Sequence, residues 1–215
     1  MSAVHTLSVL NVEQVSPHLD YRITDEHENV VARVDQTSGP RPGWWKRNVF
    51  GMVDNSSAVT LGASSVDGTS LFSLHRDASE GRGEGQTTCR LLGASGEPLG
   101  HLERQEDEYV GASAILPGAP RQTLIRRYRL YGSDGRVVGE AVSAPIEMVF
   151  RNGGESVSTT GDFYTINDAS GQEAARLEGT RLGEPNKRFT LRIRPGLPAD
   201  LRVFVLAVPF AMKLV

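Results

Sequence analysis

The chain has 215 residues, of which 39% are hydrophobic and 23% charged, with a formal net charge of −3 and a pI near 6.0. This composition is typical of a globular protein of one domain and excludes a disordered chain or a chain embedded in a membrane. The slightly acidic balance argues against nucleic acid as the partner, because neutralising phosphates requires a concentrated basic surface.

The cysteine count limits the possible disulfide and metal sites, and the N-terminal residues and lysine count indicate where the protein is made and located. Cys89 is the only cysteine, so the chain can form neither an intramolecular disulfide nor a cysteine-based zinc site. Residues 1–7 lack the basic and long apolar regions of a secretory signal peptide, and we therefore predict a cytoplasmic protein. Only Lys46, Lys187 and Lys213 among the 23 basic residues are lysines, a bias typical of a GC-rich bacterial genome.

One pattern recurs four times and predicts a β-hairpin each time. The copies are residues 21–34, 89–102, 128–141 and 164–177. Each begins with Tyr or Cys and passes through a cluster of turn-forming polar residues and glycines into a second short run. Further strands are predicted at residues 70–75, 157–160 and 189–193. No amphipathic helix of 12 or more residues stands out before residue 197, so the chain is predicted to be mainly β.

Alternation along these strands separates an inward from an outward face. In each copy the first residue and the residue 11 positions later both point inward, and the later residue is always small. The four small residues are Ala32, Gly100, Gly139 and Ala175. A close-packed interior would carry larger side chains there, so we expect another element to occupy the space.

Residues 198–215 form the most apolar segment of the chain. Pro198 and Asp200 are typical of the first turn of a helix, and no residue from Val203 to Met212 is charged. A helix that is apolar on all sides must be buried, either in the protein or in a bilayer. The uncharged stretch is about half of the roughly 20 residues that a membrane span requires. We therefore predict a core helix, with a membrane tail anchor as the alternative.

The repeated turns, the strand at residues 71–76 and the closing run of residues 189–196 into the terminal helix resemble the tubby-like superfamily, in particular its phospholipid scramblase and LURP-one-related branch. The resemblance covers residues 19–215. It implies one domain, residues 1–215, in which a closed antiparallel β-barrel of about twelve strands surrounds a central hydrophobic C-terminal α-helix, residues 198–215. Lys213 departs from the acidic residue that family members commonly carry late in this helix.

The sequence lacks the common motifs of catalytic and metal-binding sites. It contains no Gly-x-Ser-x-Gly nucleophile elbow, its five histidines lack metal-ligand spacing, and the glycine-rich residues 81–85 lack the Lys-Ser/Thr of a phosphate loop. Cys89 is predicted to be a small inward residue of the core. We therefore predict a non-enzymatic protein without metal or cofactor.

Two groups of residues are candidates for binding at a lipid surface. The first combines paired tryptophans with basic residues, a composition suited to the interface between lipid and water; it consists of Trp44, Trp45, Lys46 and Arg47. The alternative is that one tryptophan packs in the barrel while its neighbour covers an end. The second is a set of strand arginines that could form a basic face for phosphate headgroups, or could pair with nearby glutamates; it consists of Arg126, Arg127 and Arg129, with the outward Arg22 and Arg90.

The resemblance implies a binding module that recognises anionic phospholipid headgroups or a membrane surface and is peripheral to the membrane. One alternative is a cytoplasmic protein-interaction or structural protein with an unknown protein partner and no lipid binding. A second alternative is a lipocalin-like carrier, or an enzyme that uses the barrel lumen, although the core helix would fill that lumen.

Overall fold

The computed structural model describes residues 3–16, 18–41, 57–78, 88–113, 121–151, 154–158, 162–179 and 188–215. Within them, a 3₁₀ helix at Ala3–His5 precedes sixteen β-strands and one α-helix, α1 at Ala199–Ala211. The strands are β1 (Val9–Gln14), β2 (Tyr21–Thr24), β3 (Val30–Ser38), β4 (Val59–Ser65), β5 (Ser70–Arg76), β6 (Thr88–Gly93), β7 (Pro98–Arg104), β8 (Glu108–Ser113), β9 (Arg121–Ile125), β10 (Arg127–Gly132), β11 (Val137–Ser143), β12 (Ile146–Arg151), β13 (Gly154–Ser158), β14 (Asp162–Asp168), β15 (Glu173–Gly179) and β16 (Arg188–Ile193).

Twelve strands close into an antiparallel barrel in the order β1-β16-β15-β14-β11-β10-β7-β6-β5-β4-β3-β2. The first strand closes it, because Val12 lies opposite Phe189 of β16 on one side and Ile23 of β2 on the other. The predicted fold class is confirmed: the chain is mainly β, with a closed twelve-stranded antiparallel barrel and a C-terminal helix.

The four predicted hairpins are present, and their small residues lie on the predicted strands. In the first, Ile23 lies opposite the small residue Ala32, and equivalent pairs recur in β6–β7, β10–β11 and β14–β15. The sequence pattern misses a fifth hairpin, β4–β5. There the small and large residues are exchanged, since Ala63 of the first strand lies opposite Phe72 of the second.

All five hairpin turns have the same backbone geometry. At residues 132–136, for example, the Gly135 amide donates to the Gly132 carbonyl (2.9 Å) and the Gly132 amide donates to the Arg136 carbonyl (2.8 Å). This is a tight turn followed by a residue in the left-handed region, which produces a bulge. Since barrel neighbours are antiparallel, all five turns lie at one end, here named the turn end. The opposite end, where β1, β3 and β5 finish, is the loop end.

A second sheet continues four barrel strands at the loop end. Its order, β13-β12-β9-β8, repeats the order of the barrel strands β14, β11, β10 and β7 to which these strands are joined. Short breaks separate the two sheets, namely residues 105–107 after β7, Arg126 before β10, and residues 144–145 after β11. The amide of Gln105 still donates to the carbonyl of Arg127 across the first break (2.9 Å).

Helix α1 lies inside the barrel. It follows β16, which runs toward the turn end, so the helix enters from that end. Phe210 is 1% exposed, and its ring is 5.0 Å from the ring of Tyr21 on β2, 6.4 Å from Phe72 on β5 and 6.5 Å from Phe189 on β16. Contacts to three separated strands place the helix at the barrel centre. Within the described residues, no helix combines the length and the apolar character that crossing a membrane requires.

The helix is shorter than the predicted residues 198–215. Pro198 has extended backbone angles and precedes the first turn, the helix ends at Ala211, and the last i→i−4 bond runs from the Met212 amide to the Val208 carbonyl (3.0 Å). The next turn is tighter: the Lys213 amide donates to the Phe210 carbonyl (3.0 Å), and the Leu214 amide donates to the Ala211 carbonyl (2.9 Å). These are i→i−3 bonds, the usual way in which a last helical turn satisfies its carbonyls.

Buried arginines hold both ends of the core helix. Arg76, at the end of β5, is 1% exposed and donates from its guanidinium to the carbonyls of Leu214 (3.0 Å) and Ser57 (2.8 Å). Arg202, on the first turns of α1, donates to the carbonyls of Val4 (3.5 Å) and Leu7. The first interaction places a cation at the negative end of the helix dipole, and the second joins α1 to the N-terminal segment.

The predicted reason for the small inward residues holds only in part. A Cβ added to Gly100 would lie 2.8 Å from the Phe204 ring of α1, so this glycine does make room for the helix. The same atom would lie 1.9 Å from the carbonyl oxygen of Tyr131. At Gly139 the nearest obstacle is the Asn167 carbonyl oxygen, 2.5 Å away on the neighbouring strand. Close approach of backbones beside the bulges is therefore a second reason for the pattern.

Candidate functional site

In the described part of the chain, helix α1 occupies the centre of the barrel. Between α1 and strands β5, β6, β7 and β10 there is a void of only about 10 Å³, lined by apolar side chains and Cys89. A void this small is at the limit for one water molecule, and an apolar lining offers water no partners. A barrel centre occupied by a helix argues against the alternative of a lumenal carrier.

Cys89 lies in this interior, as predicted. It is fully buried, and burial raises the pKa of its thiol to about 12. A thiol in this state is a small core side chain rather than a nucleophile, since the reactive form is the thiolate. Among the described residues, no group of three or more His, Cys, Asp and Glu side chains is arranged to hold a metal ion.

The three predicted arginines of the β9–β10 segment do not share one environment. Arg127 and Arg129 lie on the outer face of β10, whereas Arg126 occupies the break between the two sheets. The backbone of Arg126 is fixed to β11, because its amide donates to the Ser143 hydroxyl (2.9 Å) and its carbonyl accepts from the Ser143 amide (2.9 Å). The structure thereby places one arginine at the junction and two on the barrel wall.

At the junction, two arginines share one carboxylate. Arg104 donates to Asp107 (3.0 Å), and Nε of Arg126 lies 3.8 Å from the same carboxylate oxygen. We name Arg104, Asp107 and Arg126 the junction cluster. Its two guanidiniums, each 35% exposed, face one carboxylate, so the cluster carries an excess positive charge at the loop end. Within the described residues, Nε of Arg126 and Oδ1 of Asp107 are both buried without a hydrogen-bond partner.

A pair of buried tyrosines lies next to the junction cluster. The rings of Tyr128 and Tyr164 meet edge to face at 6.0 Å, and their hydroxyls are hydrogen bonded. Burial raises the pKa of Tyr128, while Arg104 and Arg126 act in the opposite direction because they stabilise its charged form. Tyr128 therefore stays neutral at physiological pH and is close enough to both arginines to feel their charge.

The other predicted outward arginines lie next to carboxylates. Arg127 lies between Glu108 (3.1 Å) and Glu140 (3.6 Å), and Arg129 is opposite Glu140 on one side and Glu103 on the other in the strand register. The barrel wall therefore presents mixed charge. Arg22 and Arg90 also have acidic partners. Arg22 lies 3.9 Å from Glu13, and Arg90 forms an ion pair with Asp77.

The tryptophan group, Trp44, Trp45, Lys46 and Arg47, lies outside the described residues. It belongs to the connection between β3 and β4. The proposed role of these four residues stays a prediction.

Comparison of the chain with protein-family models, with curated proteins and with solved structures gave no match. The closed twelve-stranded barrel with one C-terminal helix is consistent with a tubby-like fold. Fold alone does not define an activity, because function depends on the site that a fold carries.

Proposed function

We propose that the chain is a non-enzymatic binding module of the scramblase and LURP-one-related type that recognises anionic lipid headgroups at its loop end. The observation that carries the proposal is the junction cluster, where two guanidiniums share one carboxylate. A guanidinium presents donors in a fixed planar fork that matches a phosphate, and the excess charge at the cluster is the complement of one. The same proposal makes the chain a cytoplasmic protein that is peripheral to the membrane.

Flotation with liposomes tests this function directly. We expect the protein to float with phosphatidylcholine vesicles that contain phosphatidylglycerol, cardiolipin or phosphoinositide, and not with phosphatidylcholine alone. Replacing Arg126 by Gln should weaken binding about fivefold, since one basic residue near an anionic surface contributes about 1 kcal/mol. Arg136→Gln is the matched control, because Arg136 is 88% exposed and lies at the turn end.

The proposal fails if the protein does not float with any anionic vesicle at low salt, where electrostatic attraction is strongest. Equal losses in the Arg126 and Arg136 variants would show attraction to net charge rather than a site at the loop end.

A protein-interaction role is the second candidate, and the second sheet favours it. In the described pairings β8 contacts only β9, and β13 contacts only β12, so each leaves one edge of the sheet unpaired. Unpaired strand edges are templates on which a partner can add a strand. This candidate predicts a partner whose binding protects β8 or β13 amides from hydrogen exchange without lipid present. Protection confined to the junction cluster would exclude it.

A further inference from the structure

Two pairs of arginines lie directly opposite one another on the outer face of the barrel. Arg22 of β2 is opposite Arg33 of β3, and Arg176 of β15 is opposite Arg192 of β16. All four residues are exposed. Side chains in such positions have Cβ atoms about 4.5–5.5 Å apart, and like charges there destabilise the sheet. Each pair therefore requires compensation from another group.

The pair on β15 and β16 is compensated within the chain. Arg176 lies 2.8 Å from Glu173, and Arg192 lies 3.5 Å from Glu178. Each guanidinium thus has a carboxylate of its own, and the four side chains together are neutral. This pair shows how the barrel accommodates opposed arginines without a ligand.

The pair on β2 and β3 is not compensated in this way by the described residues. Arg33 forms no ion pair and no side-chain hydrogen bond with any of them, although Asp35 lies on the same face of β3 two residues away. Arg22 lies 3.9 Å from Glu13, which is too long for a hydrogen bond. The same carboxylate accepts a hydrogen bond from Arg188 at 3.0 Å. Three guanidiniums thus share one ion-paired carboxylate across four adjacent strands.

The strand register aligns these side chains into one row. Arg33 lies between Ser64 of β4 and Arg22, and Glu13 of β1 lies between Arg22 and Arg188 of β16. We name these five residues the arginine row; with three guanidiniums and one carboxylate, its net charge is +2. In the barrel order, β1 and β2 lie on the side opposite β7 and β10, which adjoin the junction cluster. The row is therefore separate from that cluster.

A phosphate group is the chemical complement of the uncompensated part of the row. It carries nearly two negative charges at neutral pH and has three strong acceptor oxygens. One phosphate can therefore accept hydrogen bonds from two guanidiniums on adjacent strands at once. We infer that Arg22 and Arg33 form a binding site for a phosphate group, with the hydroxyl of Ser64 as a further donor. A soluble phosphate monoester and a lipid headgroup both supply this group.

A titration with inorganic phosphate, followed in the amide NMR spectrum of the protein, tests the inference. Sodium chloride keeps the ionic strength constant, so that general screening does not change during the titration. We expect saturable shifts of the amide signals of Arg22, Arg33 and Ser64. The amide signals of Arg176 and Arg192 should not shift in a saturable way, because these arginines already have carboxylate partners.

Substitutions in the two arginine pairs provide matched variants. Arg33→Gln should weaken phosphate binding about fivefold, the upper value for an exposed ion pair. Arg176→Gln is the control, since Arg176 is also exposed and opposed by an arginine, and it should change binding by less than about twofold. In phosphate-free buffer, Arg33→Gln should unfold at the same or a higher urea concentration than the unaltered protein, because repulsion from Arg22 is removed.

Vesicles and a soluble ester distinguish the two sources of the phosphate group. Phosphatidylcholine vesicles with phosphatidic acid present a phosphate monoester on a surface, and glycerol 3-phosphate presents it in solution. If the ligand is a lipid, Arg33→Gln should reduce flotation with these vesicles about fivefold. If the ligand is soluble, the unaltered protein and Arg33→Gln should float equally, while glycerol 3-phosphate shifts the amide signals of Arg22 and Arg33.

Three results would each overturn the inference. The first is the absence of saturable phosphate shifts at Arg22 and Arg33, and the second is an equal loss of binding in the Arg33 and Arg176 variants. The third is a lower stability of Arg33→Gln in phosphate-free buffer, which would mean that the chain itself compensates the pair. Because the phosphate titration uses no vesicles and the arginine row shares no residue with the junction cluster, its failure is distinguishable from failure of the proposed function.

Discussion

Replacing Phe210 by Ala tests the central position of the helix. Phe210 is 1% exposed, and its ring lies near buried aromatic rings on β16, β2 and β5, which together span half of the barrel order. If α1 lay against the outer face of the barrel, Phe210 could not reach these inward rings. The free energy lost on truncating its ring is therefore a measure of how completely the barrel encloses the helix.

The magnitude follows from the area that the ring buries. A buried Phe side chain removes roughly 150–250 Å² from water, worth about 4–6 kcal/mol at ~25 cal/mol per Å², as an upper bound. Measured Phe→Ala changes in cores cost about 3–5 kcal/mol, because a methyl group remains and the cavity partly collapses. We expect Phe210→Ala to lower the free energy of unfolding by about 4 kcal/mol, a large share of a typical total of ~5–15 kcal/mol.

Equilibrium unfolding in urea, followed by tryptophan fluorescence and far-UV circular dichroism, gives this number. Phe163→Ala is the matched control, since Phe163 is 40% exposed, and it should cost less than about 1 kcal/mol. A loss below about 1 kcal/mol for Phe210→Ala, or equal losses for the two variants, would refute the enclosed helix and the fold built on it.

Three further predictions concern other parts of the chain. Deleting residues 198–215 should leave an insoluble or unfolded protein, whereas a soluble, cooperatively folded product would favour the tail anchor. Arg76→Met should lower the free energy of unfolding by about 3 kcal/mol in urea titrations, because two buried carbonyls lose their donor; a loss under 0.5 kcal/mol on this same scale would contradict it. Hydrogen bonds from Ser170 and then Arg194 lower the pKa of Asp168 to about 2, so its stabilisation is complete above about pH 4 and is lost as the pH falls toward 2. Thermal unfolding of Asp168→Asn should therefore differ from the unaltered protein at pH 7 and converge with it near pH 2.

The barrel and its helix could be predicted because their signals are local. Each predicted hairpin has turn residues between two alternating runs, and the helix is a continuous apolar run. The fifth hairpin lacked the same signal, since β4 carries Leu61 and Ala63 where the other copies begin with Tyr or Cys. The repeated pattern has its small residue on the second strand, whereas here the small residue, Ala63, lies on the first strand and Phe72 on the second.

The candidate sites could be predicted only in part, because they combine residues that are distant in sequence. Arg126 was identified from a basic run, but its partner Arg104 lies at the end of another strand, and only the barrel closure brings both to Asp107.

The two faces of a barrel strand differ in how much they contribute to stability. On β2, Tyr21 and Ile23 point inward and are buried, whereas Arg22 and Thr24 point outward. Substitutions at outward positions should therefore change the free energy of unfolding by no more than about 1 kcal/mol, which is the range for exposed positions. Glu28 is an exception that should gain stability when replaced, because its φ of 64° lies in the left-handed region. In Glu28→Gly, relief of the left-handed backbone is worth ~1–2 kcal/mol, and the added chain entropy of glycine opposes it by ~0.5–1 kcal/mol. We expect a net gain of about 0.5–1 kcal/mol in urea titrations, and a loss of stability would contradict strain at this turn.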